Sequence, residues 1–150
     1  MAQSFTNLIY HLVFSTKNRQ PLINAATKPR LYEYIGGILR NKGGIAIEIG
    51  GMDDHIHILA KLRPDESLSD ILRDLKANSS GWMHKVFPAL KEFSWQNGYG
   101  AFTVSASQIE NVRRYIADQE KHHAKFGFRD EFIKLLQINQ IEFDEKYLQI

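Results

Sequence analysis

The chain has 150 residues and a mass of 17.3 kDa, and its 43% of apolar and 24% of charged residues are typical of one globular domain. It contains no cysteine, so a disulfide framework and a thiolate metal site are both excluded. The net charge is only +2, so any anionic partner must be met by a local basic patch.

The N-terminal residues, the length of the apolar runs and the lack of cysteine bear on the cellular location of the protein. Residues 1–5 lack the basic and apolar regions of a signal peptide. No apolar run reaches the length of about 18 residues that a membrane span needs. Because the lack of cysteine also fits a reducing compartment, we expect a cytoplasmic protein.

Hydrophobic periodicity predicts alternating strands and helices. In chain order, the predicted elements are strand Phe5–Ser15, helix Thr27–Lys42, strand Ile45–Ile49, strand Ile56–Leu62, a helix capped by Ser67, strand Tyr99–Ser105, a helix from its cap Ser107 to about Lys125, and a short helix Arg129–Leu136. Glycines 43 and 44 end the first helix, a turn is predicted over residues 50–54, and residues 79–81 weaken the second helix. Gly127 closes the third helix.

The order of these elements predicts the fold. The pattern β-α-β-β-α-β with an extra helix is that of an α+β, ferredoxin-like or RRM-like domain, an antiparallel sheet with helices on one face. We expect a single domain over residues 1–150, with its core at about 5–140. The C-terminal tail, residues 141–150, is expected to dock on a partner surface or to fray.

The third predicted strand carries His55 and His57. Residues two apart on a strand point to the same side, so both imidazoles project from one face and Ile56 from the other. Such a pair is half of a metal site, because two neutral imidazoles alone hold a divalent ion weakly. The alternative interpretation is an ordinary pair of polar residues on the wet face of a sheet.

The third predicted helix carries Tyr115 and Gln119, which lie four residues apart and share a face beside the apolar stripe of Ile109, Val112 and Ile116. The amide oxygen of Gln119 can complete a site of two histidines and one oxygen. The Tyr115 phenol is a candidate nucleophile, which a divalent ion assists by polarising a scissile phosphate. The alternative interpretations are that Tyr115 only packs against the sheet and that Gln119 is an ordinary exposed polar residue.

Four segments together resemble the single-tyrosine HUH transposases of the insertion-sequence family two-hundred/six-hundred-and-five of bacteria and archaea. The first is the His-hydrophobic-His tripeptide His55-Ile56-His57. The other three are Ser15-Thr16-Lys17-Asn18-Arg19, Trp95-Gln96-Asn97-Gly98-Tyr99, and Tyr115-Ile116-Ala117-Asp118-Gln119 followed by His122-His123. The tripeptide alone is a weak signal, but the four segments in this order make the resemblance specific.

The resemblance implies an activity and its residues. Tyr115 is the expected catalytic nucleophile, and His55, His57 and Gln119 are the expected ligands of Mg²⁺ or Mn²⁺. The expected reaction is cleavage and rejoining of single-stranded DNA, with hairpins at the element's ends, through a 5′-phosphotyrosine. The resemblance also implies a homodimer in which the tyrosine helix of one chain completes the metal site of the other. One departure is Asp53, where many relatives have proline in the turn before the first histidine.

Basic residues are candidates for contacts with the DNA backbone. The first group is Lys17, Arg19, Arg113, Arg114 and Lys121, and the second group is Arg73, Lys76, His84, Lys85 and Lys125. A solvated helix face is an equally good interpretation of any one of them.

Three rival functions stay open at this point. A REP-associated tyrosine transposase shares the HUH pattern and the tyrosine but acts on dispersed genomic palindromes. A non-catalytic nucleic-acid-binding module would stack bases on sheet aromatics, but the corresponding positions carry His11, His55 and His57. A two-histidine phosphoesterase would need two His-x-Thr/Ser motifs, whereas Ile58 and Leu59 follow His57.

Overall fold

A computed structural model describes residues 3–148, and its elements follow the predicted order. The strands are β1 Leu8–Ser15, β2 Ile45–Met52, β3 His55–Leu62 and β4 Gly100–Thr103. The helices are α1 Lys28–Asn41, α2 Leu68–Val86, α3 Ile109–Ala117, α4 Gln119–His123 and α5 Phe128–Ile138. Within residues 3–148, no helix is both long and apolar enough to cross a lipid bilayer.

The four strands form one antiparallel sheet in the order β2-β3-β1-β4. The central strands β1 and β3 pair along their whole length, from Leu8 opposite Leu62 to Ser15 opposite His55. Strands that are covered on both faces read as nearly continuous apolar runs, which explains the sequences of these two. The sheet and its helices confirm the predicted α+β fold.

Helices α1 and α2 cover one face of the sheet. Their apolar residues recur at helical spacing and are buried against alternate residues of β1 and β3. The main members of this core are Leu12, Phe14, Leu31, Ile35, Leu39, Ile56, Ile58, Leu72 and Leu75. Ser67 caps α2 as predicted, because its Oγ accepts a hydrogen bond of 3.1 Å from the backbone N–H of Asp70.

Helices α3, α4 and α5 cover the opposite face, so the sheet lies between two helical layers. The apolar contacts of this second layer join Ile116 of α3 to Ile9 and Leu59, and Phe128, Phe132 and Leu136 of α5 to Val13 and Phe102. The two ferredoxin-type helices thus share one face, as predicted. The additional C-terminal helices enclose the face from which His55 and His57 project.

The turn predicted over residues 50–54 is present but shorter. It is confined to Asp53 and Asp54, because residues 50–52 continue β2 and pair with residues 55–57 of β3. Residues 79–81 are predicted to weaken the second helix, but α2 runs through them. Ser79 is buried there and accepts a hydrogen bond of 2.9 Å from Nε1 of Trp95, so its hydroxyl is satisfied within the helix.

The third predicted helix is two helices. The backbone leaves the helical conformation at Asp118, where φ is −97° and ψ is 23°. Ser107 lies within the 3-10 turn Ala106–Gln108 and is not the cap of α3. Gly127 is the N-cap residue of α5. The candidate nucleophile and the candidate amide ligand therefore lie on separate helices.

The Trp95-Gln96 segment braces the end of β1. The Trp95 ring lies edge-on to that of Phe14, with centroids 4.8 Å apart. Oε1 of Gln96 accepts a hydrogen bond of 2.6 Å from the backbone N–H of Ser15, and the backbone N–H of Gln96 donates to the Ser15 carbonyl at 2.9 Å. Because Ser15 pairs with His55, this motif holds the strand end beside the first histidine.

The described part of the C-terminal tail packs on its own chain. Phe143 and Leu148 contact the apolar cluster that α5 forms with β1 and β4. Arg129 and Glu145 add an ion pair of 3.2 Å. Residues 149 and 150 of the predicted tail lie outside the described residues.

Gly50 sets the approach of α3 to the sheet. A Cβ at this position would lie 2.4 Å from the backbone carbonyl oxygen of Ile116. We expect Gly50→Ala to push α3 away from β2 and to lower the free energy of unfolding by about 1–3 kcal/mol, as overpacking does.

Gly81→Ala is the matched control, because a Cβ at this helical position meets nothing within 4 Å. It should raise the free energy of unfolding by about 0.5–1 kcal/mol. Urea unfolding measures both changes, and a Gly50→Ala protein as stable as the parent would contradict the close packing of α3.

Candidate active site

His55 and His57 lie side by side on the enclosed face of the sheet. Both side chains are fully buried. The His55 ring stacks on Phe128 of α5, with centroids 4.4 Å apart. The structure places the two imidazoles on one face, as their spacing predicts, but that face is covered and not wet.

Each of these histidines is oriented by a partner behind it. Nδ1 of His55 donates to Oδ1 of Asp54 at 2.7 Å, because a carboxylate can only accept. Nδ1 of His57 lies 2.8 Å from Nε2 of His11, a buried residue of β1 whose ring stacks on that of His57. Because Nδ1 of each ring is hydrogen-bonded to Asp54 or to His11, Nε2 of each ring is directed into the same space between the sheet and the helices.

Gln119 and Tyr115 reach this space from two helices. Gln119 is buried at the start of α4, and its Oε1 lies 2.9 Å from Nε2 of His55. Tyr115 is half-buried near the end of α3, with its ring centroid 5.8 Å from that of His57. The four residues that the sequence nominates for one site are therefore neighbours within a single chain.

The carboxylate of Glu131, on α5, lies at the centre of the cluster. It is 1% exposed. Its Oε1 faces three imidazole nitrogens, namely Nε2 of His57 at 3.0 Å, of His123 at 3.0 Å and of His55 at 3.4 Å. Its Oε2 accepts hydrogen bonds from the Tyr115 hydroxyl and, at 2.9 Å, from Nε2 of Gln119. One carboxylate thus joins β3, α3, α4 and α5.

Glu131 is an anion and Tyr115 is a neutral phenol in this arrangement. Burial opposes ionisation of Glu131, but hydrogen bonds from three imidazoles outweigh burial and hold the pKa of Glu131 far below its usual range. Burial, and then the Glu131 carboxylate, raise the pKa of Tyr115 above the value of 10.0 for a free phenol. The phenol keeps its proton at neutral pH and needs a nearby positive charge to become a better nucleophile.

The imidazoles differ in charge. Burial lowers the pKa of His57 and, together with the neighbouring His57, lowers that of His11 to about 3, so both rings are neutral at pH 7. Burial also disfavours the charged form of His55. Its hydrogen bonds to two carboxylates and an amide outweigh this effect and raise the pKa of His55 to about 9. His55 therefore carries a positive charge opposite Glu131.

The cluster fits a metal ion by the chemistry of its donors. One ligand atom from each of His55, His57 and Glu131 lies within 4.8 Å of the others, and all three residues are buried. Imidazole nitrogens and carboxylate oxygens are ordinary ligands of first-row divalent ions. Orientation of the rings by Asp54 and His11 is typical of metal-bound histidines. These residues could therefore hold a metal ion.

The first group of basic candidates is divided between two places. Lys17 and Arg19 are exposed in the 3-10 turn that follows β1, close to the strand end beside the first histidine. Arg113 and Arg114 are exposed on α3, and Lys121 is exposed on α4. Arg113 is already paired with a carboxylate of β2 at 3.1 Å.

Two candidates of the second group make structural hydrogen bonds. Nζ of Lys76 donates to the backbone carbonyls of Gln96, at 2.9 Å, and Gly98. Burial lowers the pKa of Lys76 to about 8. His84 donates to the Phe93 carbonyl at 2.6 Å. These bonds hold the loop before β4, so both residues have a structural role.

Sequence reasoning misses three members of the cluster, which are His11, His123 and Glu131. The sequence signal that could have found them is the position of a polar residue on the same face as buried or site residues. Glu131 follows Phe128 by three residues on the buried stripe of α5, and His123 follows Gln119 by four. His11 alternates with apolar residues in β1, on the same face of the sheet as His57.

The charge on His55 makes the stability of this cluster depend on pH. The folded-state pKa of about 9 lies above the ordinary value of 6.5. The stabilisation is therefore complete below pH 6.5 and is lost as the pH rises through about 9. In the presence of a chelator, we expect the free energy of unfolding to fall over this window.

The Asp54→Asn variant should show a smaller fall, because it removes the carboxylate behind His55. Asp53→Asn is the matched control, since the Asp53 side chain is 58% exposed and pairs with Lys28. Urea unfolding at several pH values gives the comparison. Equal falls in the Asp54→Asn and Asp53→Asn proteins would contradict this charge assignment.

Comparison with known proteins gives the family. Residues 4–119 match the family described as "Transposase IS200 like". The ISDra2 transposase TnpA of Deinococcus radiodurans is 28% identical over 117 residues, which cover 75% of this chain and 84% of that protein. The transposase of insertion sequence element IS200 from Salmonella typhimurium is 29% identical over 133 residues, which cover 81% of this chain and 84% of that protein.

Two solved transposase structures have a fold similar to that of this chain. A crystal structure of a candidate transposase from Deinococcus radiodurans has 26% identity and a TM-score of 0.65, and the match covers 79% of this chain and 98% of that one. A REP-associated tyrosine transposase bound to a REP hairpin shares the fold, with 16% identity, a TM-score of 0.61 and coverage of 82% and 73%. Since the family match spans residues 4–119, this chain belongs to the IS200-like transposase family and is a DNA transposase.

Proposed function

We propose that this transposase cleaves and rejoins single-stranded DNA through a covalent bond between Tyr115 and a 5′ phosphate. The observation that carries the proposal is the position of the Tyr115 hydroxyl. It is held by Glu131 beside two buried histidines that can bind a metal ion. This hydrogen bond directs the Tyr115 hydroxyl toward the histidine cluster.

We assign His55, His57 and Gln119 as ligands of Mg²⁺ or Mn²⁺. When bound, such an ion neutralises charge that develops on the scissile phosphate and orients the phosphate for in-line attack. Asp54 and His11 orient the two imidazoles for this role, and Glu131 adds an anionic oxygen.

In the covalent step, Oη of Tyr115 forms a bond to phosphorus while the bond from phosphorus to the DNA O3′ breaks. The phenol proton is lost to water, while Glu131, whose low pKa makes it a poor base, orients the hydroxyl by accepting its hydrogen bond. The leaving O3′ takes a proton from water and becomes a free 3′ hydroxyl. The phosphotyrosine conserves the energy of the phosphodiester bond, so attack by a 3′ hydroxyl can rejoin the strand without a nucleotide cofactor.

A groove of about 570 Å³ gives DNA a route to Tyr115. Its wall includes Phe102, Gln108 and Asn111, and Tyr115 and His11 lie along it. The exposed amide side chains of Gln108 and Asn111 suit unpaired bases, which they can hydrogen-bond. We propose that Lys17 and Arg19 hold the DNA backbone at the other edge of the site, and that Arg113, Arg114 and Lys121 contact it on the helical layer.

We further propose that the substrates carry hairpins and that the protein works as a homodimer. A protein of the same fold has been solved with a REP hairpin bound, so this fold accommodates such a ligand. The family match favours the ends of an insertion sequence over dispersed palindromes as the target. A base-stacking module without catalysis is disfavoured, because α3, α4 and α5 cover the sheet face that bases would need.

The covalent intermediate is directly testable. The probe is a single-stranded oligonucleotide with a hairpin and randomised flanking nucleotides, labelled at either end and incubated with Mn²⁺. We expect a protein–DNA band on a denaturing gel with the 3′-labelled probe, and a free fragment with the 5′-labelled probe. The band should disappear in Tyr115→Phe and with a chelator.

Tyr147→Phe is the matched control, since Tyr147 is 73% exposed in the 3-10 turn Glu145–Tyr147. A band that survives Tyr115→Phe would refute the nucleophile. Cleavage without a covalent band would indicate a hydrolase. A band on the 5′-labelled probe would reverse the polarity of the linkage.

The position of Tyr115 beside the histidines of its own chain supports an active site within one subunit. When Tyr115→Phe and His57→Ala chains are co-expressed and purified together, we expect no covalent band above that of the single variants. A restored band would instead support the shared site that the resemblance implies, in which α3 and α4 of one subunit serve the other.

A further inference from the structure

His123 and Glu131 extend the ligand set beyond the pair of histidines and the glutamine. Nε2 of His123 lies 3.0 Å from Oε1 of Gln119 and 3.0 Å from Oε1 of Glu131. The His123 side chain is 6% exposed, although Glu120 and Lys121 of the same helix are exposed. This histidine therefore faces the same buried space as His55 and His57.

The hydrogen bond behind His123 determines what its inner nitrogen can do. Nδ1 of His123 lies 2.9 Å from the carbonyl oxygen of Phe126, and a carbonyl oxygen only accepts, so Nδ1 carries a proton. A neutral His123 then directs the lone pair of Nε2 into the cluster. His55 also donates from Nδ1, to Asp54, so a metal ion would need to displace only the proton on its Nε2.

The oxygens of the cluster are also directed inward. The amide nitrogen of Gln119 donates to Oε2 of Glu131 at 2.9 Å, so Oε1 of Gln119 faces Nε2 of His55 and of His123. Oε1 of Glu131 lies among all three imidazoles. Five atoms that can serve as metal ligands thus converge, namely Nε2 of the three imidazoles and Oε1 of Gln119 and of Glu131. Protons on the imidazoles join these atoms in pairs, whereas one cation would contact all five.

We propose that His123 and Glu131 are metal ligands, and that with His55, His57 and Gln119 they form a centre of three imidazoles and two oxygens. The inference rests on the proposed metal centre and deepens it. Such a ligand set binds the later first-row ions more tightly than Mg²⁺. We assign Zn²⁺ as the tightest of Zn²⁺, Mn²⁺ and Mg²⁺ in the DNA-free protein. All five residues are buried or nearly so, so this is the closed form of the centre.

Metal titration by calorimetry tests the proposal without reference to activity. The parent protein should bind one Zn²⁺ more tightly than Mn²⁺, and Mn²⁺ more tightly than Mg²⁺. His123→Ala and Glu131→Gln should each weaken Zn²⁺ binding about tenfold or more, since even an outer-shell partner is worth that much. His122→Ala and Glu120→Gln are the matched controls on α4 and should leave the affinity unchanged.

Imidazole nitrogen resonances of the intact parent give a second readout that needs no variant. On addition of Zn²⁺, Nε2 of His55, His57 and His123 should shift as metal-bound nitrogens, while His84 and His122 should not. An unshifted His123, unchanged affinity in both ligand variants, no Zn²⁺ binding by the parent, or equal affinity for Mg²⁺ would each overturn the proposal.

The outcome is separable from that of the proposed function. If the parent binds Zn²⁺ through His123 but forms no covalent DNA band, the nuclease proposal fails and the metal centre stands. If the band forms with Mn²⁺ but His123 and Glu131 do not affect metal affinity, the five-ligand centre fails and the nuclease proposal stands.

Discussion

The active site depends on one buried interaction, the hydrogen bonding of the Glu131 carboxylate to groups from every element around it. Its two oxygens meet imidazoles of β3 and α4, the amide of Gln119 and the hydroxyl of Tyr115. A buried carboxylate is costly unless it is paired, and removing one partner would leave a charge without compensation. The carboxylate therefore ties α5 to the sheet and to the candidate nucleophile. A metal ion bound between Glu131 and the imidazoles would complete the same network.

The rest of the fold makes this interaction rigid. The central strands supply His55, His57 and His11 from one face, and a strand holds such side chains in fixed registration. The Trp95-Gln96 segment closes the strand end next to His55, which gives a structural reason for a motif whose role the sequence leaves open. Gly50 lets α3 approach β2 closely enough for Tyr115 to reach the cluster. The motifs that carry the family resemblance thus divide into residues that we propose for catalysis and metal binding and residues that hold them in place.

Much of this arrangement follows from spacing along the chain. The interval of two in His55-Ile56-His57 and the interval of four between Tyr115 and Gln119 predict the shared faces that the structure contains, even though a break at Asp118 puts the second pair on two helices.

Glu131 could not be placed in this way, because its partners lie 8 to 76 residues away in sequence and are chosen by packing. A glutamate on an amphipathic helix is ordinarily solvated. Only its position on the stripe of Phe128 and Phe132 hinted at burial. The break at Asp118 and the unbroken β2 at residues 50–52 likewise reflect tertiary contacts that override local preference.

We propose that Tyr115, held at the histidine cluster, makes the covalent bond to DNA. Mass spectrometry of the trypsin-digested protein–DNA complex would identify the side chain that carries the DNA. Cleavage after Arg114 and Lys121 releases the peptide Tyr115–Lys121, which contains a single tyrosine. We expect the nucleotide mass on this peptide, and fragmentation should assign it to Tyr115. An adduct on any other peptide, or an unmodified Tyr115–Lys121 peptide in a complex that carries DNA, would contradict it.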